Sequence, residues 1–205
     1  MQVWYADEAL IVVDKPAGLL SVPGRGEAGH VCLAAQVVER WPDALVVHRL
    51  DMPTSGLMLF ARGSEAQRRL SAAFAARCVE KRYVAVVHGL LEHDTGEIDA
   101  PITVDWPNRP RQHVDLVAGR LSLTRWRVLA RDVHRQRSRV ELEPVTGRAH
   151  QLRVHLLSIG HAIVGDALYG DDATSEPRLL LHAASLAFDH PRDGKRVAFE
   201  STVPF

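Results

Sequence analysis

His48-Arg49-Leu50-Asp51-Met52-Pro53-Thr54-Ser55-Gly56 lies between two strand-like apolar runs, Ala44 to Val47 before it and Leu57 to Phe60 after it. Pro53 and Gly56 exclude a regular ladder across the stretch, while Thr54 and Ser55 carry short hydroxyls able to bond the local backbone and fix a turn. Asp51 therefore occupies a constrained loop at a strand end, with Arg49 two residues before it. A reactive carboxylate is held for chemistry in this way. Taken alone, a solvated Asp in an ordinary hairpin turn carries the same signature.

Toward the N-terminus, Leu10 to Val13 is a short apolar strand ended by Asp14-Lys15-Pro16, and Gly18, Pro23, Gly24 and Gly26 make the next segment a loop. No Gly-Lys-Ser/Thr follows these glycines, so the segment does not read as a nucleotide-binding loop. Apolar residues at 33, 34, 37, 38 and 41 give Val31 to Trp41 a helical spacing and a core-facing side. Toward the C-terminus, Ser64 reads as an N-cap, and apolar positions 66, 70, 73, 74 and 78 predict an amphipathic helix to about Val79 with Arg68, Arg69 and Arg77 outward. Tyr83 to Val87 is a strand ended by His88-Gly89. Asp105 to Arg111 is a proline-bracketed loop whose Trp106 serves either to stack on a base or to cover a core edge.

Leu121 to Ala130 and Ser138 to Glu143 alternate apolar with polar residues, as half-buried antiparallel strands do. Gln151 to Ile159 reads as a short helix stopped by Gly160, and Leu179 to Phe188 and Arg196 to Glu200 as closing strands. Many strands with a few interspersed helices predict an α+β domain on a mainly antiparallel sheet. No linker composition divides the 205 residues, which are read as one domain, 1–205. Cys32 and Cys78 have no paired spacing, which fits a reducing cytoplasm. The first residues lack the basic and apolar regions of a leader, so a soluble, intracellular protein is expected.

Formal net charge is zero, which by itself argues against a nucleic-acid partner. The distribution argues for one. Between Pro107 and Arg153 there are eleven Arg against four acids, a local excess of seven. Such arginines suit phosphate contacts and base stacking.

The stretch at 48–56 resembles the catalytic signature of the RluA family of pseudouridine synthases. Lys81-Arg82-Tyr83 is similar to the family's Lys-x-Tyr motif, and Gly147-Arg148-Ala149-His150-Gln151-Leu152-Arg153-Val154-His155 to the motif supplying an arginine partner for the acid. Lys15-Pro16-Ala17-Gly18-Leu19-Leu20-Ser21-Val22-Pro23-Gly24 resembles the family's opening segment, so the likeness spans nearly the whole chain. The resemblance implies a bisected, mainly antiparallel sheet with flanking helices and a central RNA-binding cleft. It points to the short members that modify both a tRNA anticodon stem-loop and a 23S rRNA hairpin and carry no S4 RNA-binding domain.

The implied reaction breaks the N1–C1′ bond of uridine, turns the freed uracil and joins C5 to C1′. It needs no redox step or external atom, so no cofactor is expected. One ionised carboxylate suffices, which the resemblance makes Asp51, with three routes open to it: attack at C1′, addition at C6, or removal of the C2′ proton. A carboxylate that must stay charged where water is excluded calls for a neighbouring cation, and the resemblance assigns that place to Arg153. Tyr83 has a ring to stack on the uracil and a hydroxyl to assist removal of the C5 proton. Arg49 is the candidate to fill the gap left by a flipped nucleotide, with Arg109, Arg111 and Arg148 holding RNA.

His150 and His155 share the predicted helix, but their spacing does not put them on one face, and no metal site is expected. Ser55 with His48 lacks a nucleophile elbow and does not read as a hydrolase. Two alternatives remain: a noncatalytic RNA-binding or ribosome-assembly module using the same cleft, and a nucleoside or DNA glycosylase with Asp51 as sole carboxylate, against which the lack of an evident second acid counts. A monomer is expected.

Overall fold

The computed structural model describes residues 1–24, 31–170 and 176–205. By its internal packing the chain divides into two compact units, residues 1–81 with 182–204 and residues 82–181 with 205. The first contains β1 (Gln2–Ala6), β2 (Leu10–Lys15), α1 (Leu33–Arg40), β3 (Ala44–Val46), β4 (Ser55–Arg62) and α2 (Gly63–Ala75). Most of β11 (Leu181–Asp189) and all of β12 (Arg196–Glu200) complete it.

The apolar runs beside the Asp51 loop are continuous because their strands are covered on both faces. β2 and β4 pair antiparallel, with Val13 opposite Met58 and Leu10 opposite Ala61. Leu10, Val12, Leu57 and Leu59 pack on one side with Leu70 of α2, Leu186 and Phe188. Ile11, Val13, Met58 and Phe60 pack on the other with Leu33 and Val37 of α1. Each large side chain so buried contributes about 1.5–3 kcal/mol of transfer free energy, which makes this strand pair the anchor of the unit.

β11 runs parallel to the start of β4, His182 beside Ser55 and Ala183 beside Gly56, while β1 with β2, β2 with β4, β3 with β4 and β11 with β12 pair antiparallel. Gly56 has φ +114°, and a Cβ there would fall 2.3 Å from the Ala183 carbonyl oxygen. Only glycine lets β11 approach the end of the 48–56 stretch.

The second unit contains most of β5 (Glu80–His88), with β6 (Thr95–Asp99), β7 (Ile102–Val104), β8 (Gln112–Val114), β9 (Leu123–Asp132), β10 (Arg137–Pro144) and α3 (Gln151–Ser158). Its strands run β5-β10-β9-β6, all antiparallel, and β7 with β8 forms a separate hairpin. In β10, Val140 and Leu142 face a cluster with Ala85, Val87, Leu152, Leu156 and Ile163, while Arg139, Glu141 and Glu143 alternate outward.

Local expectations differ from the structure at several points, and Gly56, expected to exclude a regular ladder, is paired within β4 with Lys15 on one side and Ala183 on the other. β1 carried no sequence signal, because four of its five side chains are exposed and no alternation marks it. α2 starts at Gly63 with Arg62 at the N-cap position, so Ser64 lies inside the first turn. The Arg62 side chain is instead drawn to Asp43 and the Asp7 carbonyl. α2 also ends at Ala75, four residues before Val79, and Arg77 takes a left-handed φ of +61°. Gly26, expected in a loop, lies outside the described residues. Among the described residues no helix is long and apolar enough to cross a membrane.

Candidate active site

Both neighbours of Asp51 are tied to the segment Lys15 to Ser21. The buried Ser21 hydroxyl donates to the Leu50 carbonyl at 2.6 Å and accepts from the Leu50 N–H at 3.1 Å. On the other side, the Met52 carbonyl accepts from the Gly18 N–H at 2.9 Å and from Lys15 Nζ at 3.0 Å. Lys15 is fully buried and also donates to the carbonyls of Pro16 and Leu19. The segment is itself anchored, because the first N–H groups of α1, at Leu33 and Ala34, donate to the carbonyls of Leu20 and Ser21. These are donors a helix cannot satisfy internally. The backbone carbonyl of Asp51 closes the turn by accepting the Thr54 N–H at 3.1 Å. Its half-buried carboxylate thus springs from a backbone held on both flanks, with exposed Arg49 beside it.

Neighbouring polar groups lock the rest of the stretch. His48 Nε2 accepts the Leu59 N–H at 3.0 Å, and its ring stacks on Phe74 with centroids 4.7 Å apart. Part of its surface stays accessible, yet burial first and the Lys81 charge second hold its pKa down to about 3. It is therefore a neutral acceptor, protonated on Nδ1. Ser55 bonds His182 Nδ1 at 2.7 Å, not His48, and His182 Nε2 reaches Ser201 Oγ at 3.0 Å, which in turn donates to Asp14. Ser55, His182 and Ser201 are buried. This chain fixes the strand ends on either side of Gly56.

Tyr83 and Arg153 belong to the second unit, Asp51 and Arg49 to the first. Tyr83 lies in β5 opposite Leu142 and packs, half-buried, against the cluster that also receives Leu152 and Leu156 of α3. Arg153, in the same helix, is buried. Its Nε donates to Asp166 Oδ2 at 2.7 Å and its Nη2 to Asp166 Oδ1 at 2.6 Å, a side-on fork between two buried groups. The guanidinium carbon lies 4.9 Å from the centre of the Tyr169 ring.

The start of α3 is held from within. Gln151 Oε1 accepts from Thr146 Oγ1 and the Arg148 N–H, while its Nε2 donates to the Leu123 carbonyl and Thr124 Oγ1. His155 bridges Thr124 Oγ1 and the Ala100 carbonyl, with its pKa lowered chiefly by burial. His150, with φ +53°, bonds Tyr169. His155 serves as a polar core group, while the half-buried His150 stands at the N-cap position of α3.

The basic segment is less open to phosphate than its composition implies. Arg125, Arg127, Arg131, Arg135, Arg137 and Arg153 each lie against a carboxylate. A depression of about 320 Å³ on β9 and β10, lined by Arg82, Arg125, Arg127 and Glu97, Glu141, Glu143, mixes both signs of charge. Arg109, Arg111 and Arg148 are exposed and take other partners. The Arg109 guanidinium lies 4.6 Å over Trp106, Arg111 5.5 Å over Tyr169, and Arg148 Nε reaches the Leu121 carbonyl. Trp106 is 67% exposed and covers no core edge. The loop between β7 and β8 thus presents an exposed aromatic plane with one cation, Arg109, over it, a combination suited to unstacked bases.

The model of the RNA pseudouridylate synthase family matches residues 9–158, which contain Asp51, Tyr83 and Arg153. The chain belongs to this family. A pseudouridine synthase of this kind is an isomerase that converts uridine to pseudouridine in RNA, and membership favours catalysis over a noncatalytic RNA-binding role. The chain is 49% identical over 194 residues to a Vibrio cholerae protein described as dual-specificity RNA pseudouridine synthase RluA, covering 94% of this chain and 78% of that one. A Yersinia pestis protein of the same description is 43% identical over the full length of both chains. The one from Escherichia coli K12 is 42% identical over 99% of this synthase and 93% of the relative. Among solved structures, human RNA pseudouridylate synthase domain containing 1 superposes with a TM-score of 0.83 at 29% identity, covering 100% of this chain and 84% of that chain.

Four residues without a motif of their own hold the candidate side chains within their units: Lys15 and Ser21 around Asp51 in the first, Asp166 and Tyr169 around Arg153 in the second. The first two lie in the stretch 15–24, whose likeness to the family was legible although its task was not. Gly165-Asp166 carried no signal beyond a turn.

Proposed function

We propose that this synthase isomerises uridines in two RNAs, a tRNA anticodon stem-loop and a 23S rRNA hairpin. The observation that carries the proposal is the 42–49% identity to relatives described as dual-specificity RNA pseudouridine synthases. In this reading Asp51 is the catalytic carboxylate, Arg153 the cation that preserves its charge, and Tyr83 the ring and hydroxyl against the uracil. The pinned loop around Asp51 supports the first role, since a carboxylate that meets a ribose carbon must not wander. Flipping a uridine costs a few kcal/mol and least in a hairpin loop, which favours such substrates. Arg49 fills the vacated stack, and Arg109, Arg111 and Arg148 hold the RNA. The two units act as one catalytic domain, monomeric and cytoplasmic.

Pseudouridine mapping in tRNA and rRNA from cells with and without this protein tests the proposal. Loss of one site in each RNA is expected, and an unchanged map in either removes that substrate. Asp51→Asn should abolish conversion while leaving RNA affinity within about tenfold, because phosphate contacts dominate binding. Conversion by an Asn variant free of deamidated protein would refute the role of Asp51.

A further inference from the structure

We infer that Asp166, supported by Tyr169, is a positioning residue for Arg153, so that the turn Gly165-Asp166-Ala167-Leu168-Tyr169-Gly170 aims the guanidinium. The inference rests on the catalytic role proposed above for Arg153. An arginine side chain has about 2 kcal/mol of rotamer entropy, and a helix backbone fixes only where the side chain begins. The fork to Asp166 engages Nε and Nη2 at 2.7 and 2.6 Å, which sets the plane of the guanidinium and hence the direction of Nη1. The Tyr169 ring bounds the same group at 4.9 Å.

Both supports are themselves fixed. Asp166 Oδ1 also accepts the N–H groups of Leu168 at 3.0 Å and Tyr169 at 3.2 Å, and its carbonyl accepts the Gly170 N–H at 2.9 Å. Gly165 has φ +75°, and a Cβ there would meet the Arg178 carbonyl oxygen at 2.1 Å, so the turn has little freedom to relax. The Tyr169 hydroxyl accepts the Gln112 N–H at 2.7 Å and shares a bond of 2.7 Å with His150 Nδ1. Arg111 stacks on the same ring. A buried ion pair adds little net stability once desolvation is counted. What this pair supplies is direction.

The test is a double-mutant cycle on single-turnover conversion of an anticodon stem-loop RNA, with RNA affinity measured in parallel. Asp166→Asn should slow conversion about 30-fold or more with affinity changed less than about threefold, because a guanidinium misplaced by an ångström costs catalysis and not phosphate contacts. In the Arg153→Lys background the same substitution should cost less than about threefold, because lysine cannot form the fork. Equal slowing in both backgrounds, or a folded Asp166→Asn variant at the wild-type rate, overturns the inference.

The ¹⁵N resonance of Arg153 Nε in the free protein reads the aim without reference to activity. Its proton should exchange slowly in wild type and rapidly in Asp166→Asn, and equal exchange also overturns the inference. Arg153→Lys at the wild-type rate would remove the catalytic role of Arg153 instead, a separate failure. If Asp166→Asn does not fold, Tyr169→Leu should slow conversion about tenfold and Tyr169→Phe, which keeps the ring, less than about threefold. Equal effects of Leu and Phe again refute the positioning role.

Discussion

Ser21→Ala is expected to damage the synthase both as a folded protein and as a catalyst. Ser21 is 3% exposed and its hydroxyl serves both backbone groups of Leu50, which is itself 7% exposed. Removing it strands a donor and an acceptor, at about 1–3 kcal/mol each when buried and unreplaced by water. The lower half of that range applies, since a small cavity beside polar groups can admit a water molecule. A loss of about 2–4 kcal/mol follows, to be read as a shift of the urea midpoint at unchanged slope. The functional loss is separate. Leu50 immediately precedes Asp51, and release of its two bonds lets the carboxylate drift; an ångström of drift costs about 100-fold in rate. Single-turnover conversion at a temperature where the variant stays folded should fall by one to two orders of magnitude, with RNA affinity unchanged. A variant that unfolds within about 1 kcal/mol of wild type and converts RNA at the wild-type rate would refute the clamp.

Gly56→Ala forces a left-handed alanine whose Cβ lies 2.3 Å from one backbone atom and 2.6 Å from another. A destabilisation above about 3 kcal/mol in chemical denaturation is expected, and a smaller one would mean that β11 moves aside easily. His48, with a folded pKa of about 3 against 6.5 unfolded, leaves protons to the unfolded chain, so stability falls as pH drops below about 6.5. The loss reaches at most about 2 kcal/mol by pH 5. His48→Gln keeps an acceptor for the Leu59 N–H and should shrink the difference in Tm between pH 7 and pH 5; an identical difference would assign the acid sensitivity elsewhere. Replacing Arg109 and Arg111 together with Ala should weaken RNA binding and reduce the slope of log affinity against log salt by about 1–2. An unchanged slope would take this loop off the RNA.

The strands and helices that a local pattern can report were legible in the sequence. Period-two alternation marked β9 and β10, helical spacing marked α1, and Pro53 marked the loop that carries Asp51, whereas Gly56 proved to be a paired residue of β4. These signals depend on residues within a turn or two of each other, where sequence distance and spatial distance agree. Membership of the family was legible for another reason, the likeness of spaced motifs, and the chemistry proposed for the loop rests on that likeness. What only the tertiary structure decided lies in contacts between distant positions. Ser21 meets Leu50 across 29 residues, and Ser55 meets His182 across 127. Arginines counted as an RNA-facing excess are cancelled by partners such as Glu97, which stands 28 residues before Arg125. No local pattern records that a lysine will be buried under three carbonyls or that Asp166 will hold Arg153. Hydrogen bonds and ion pairs are specified by which groups the packed strands and turns bring within 3 Å, and that proximity exists only once the chain has folded.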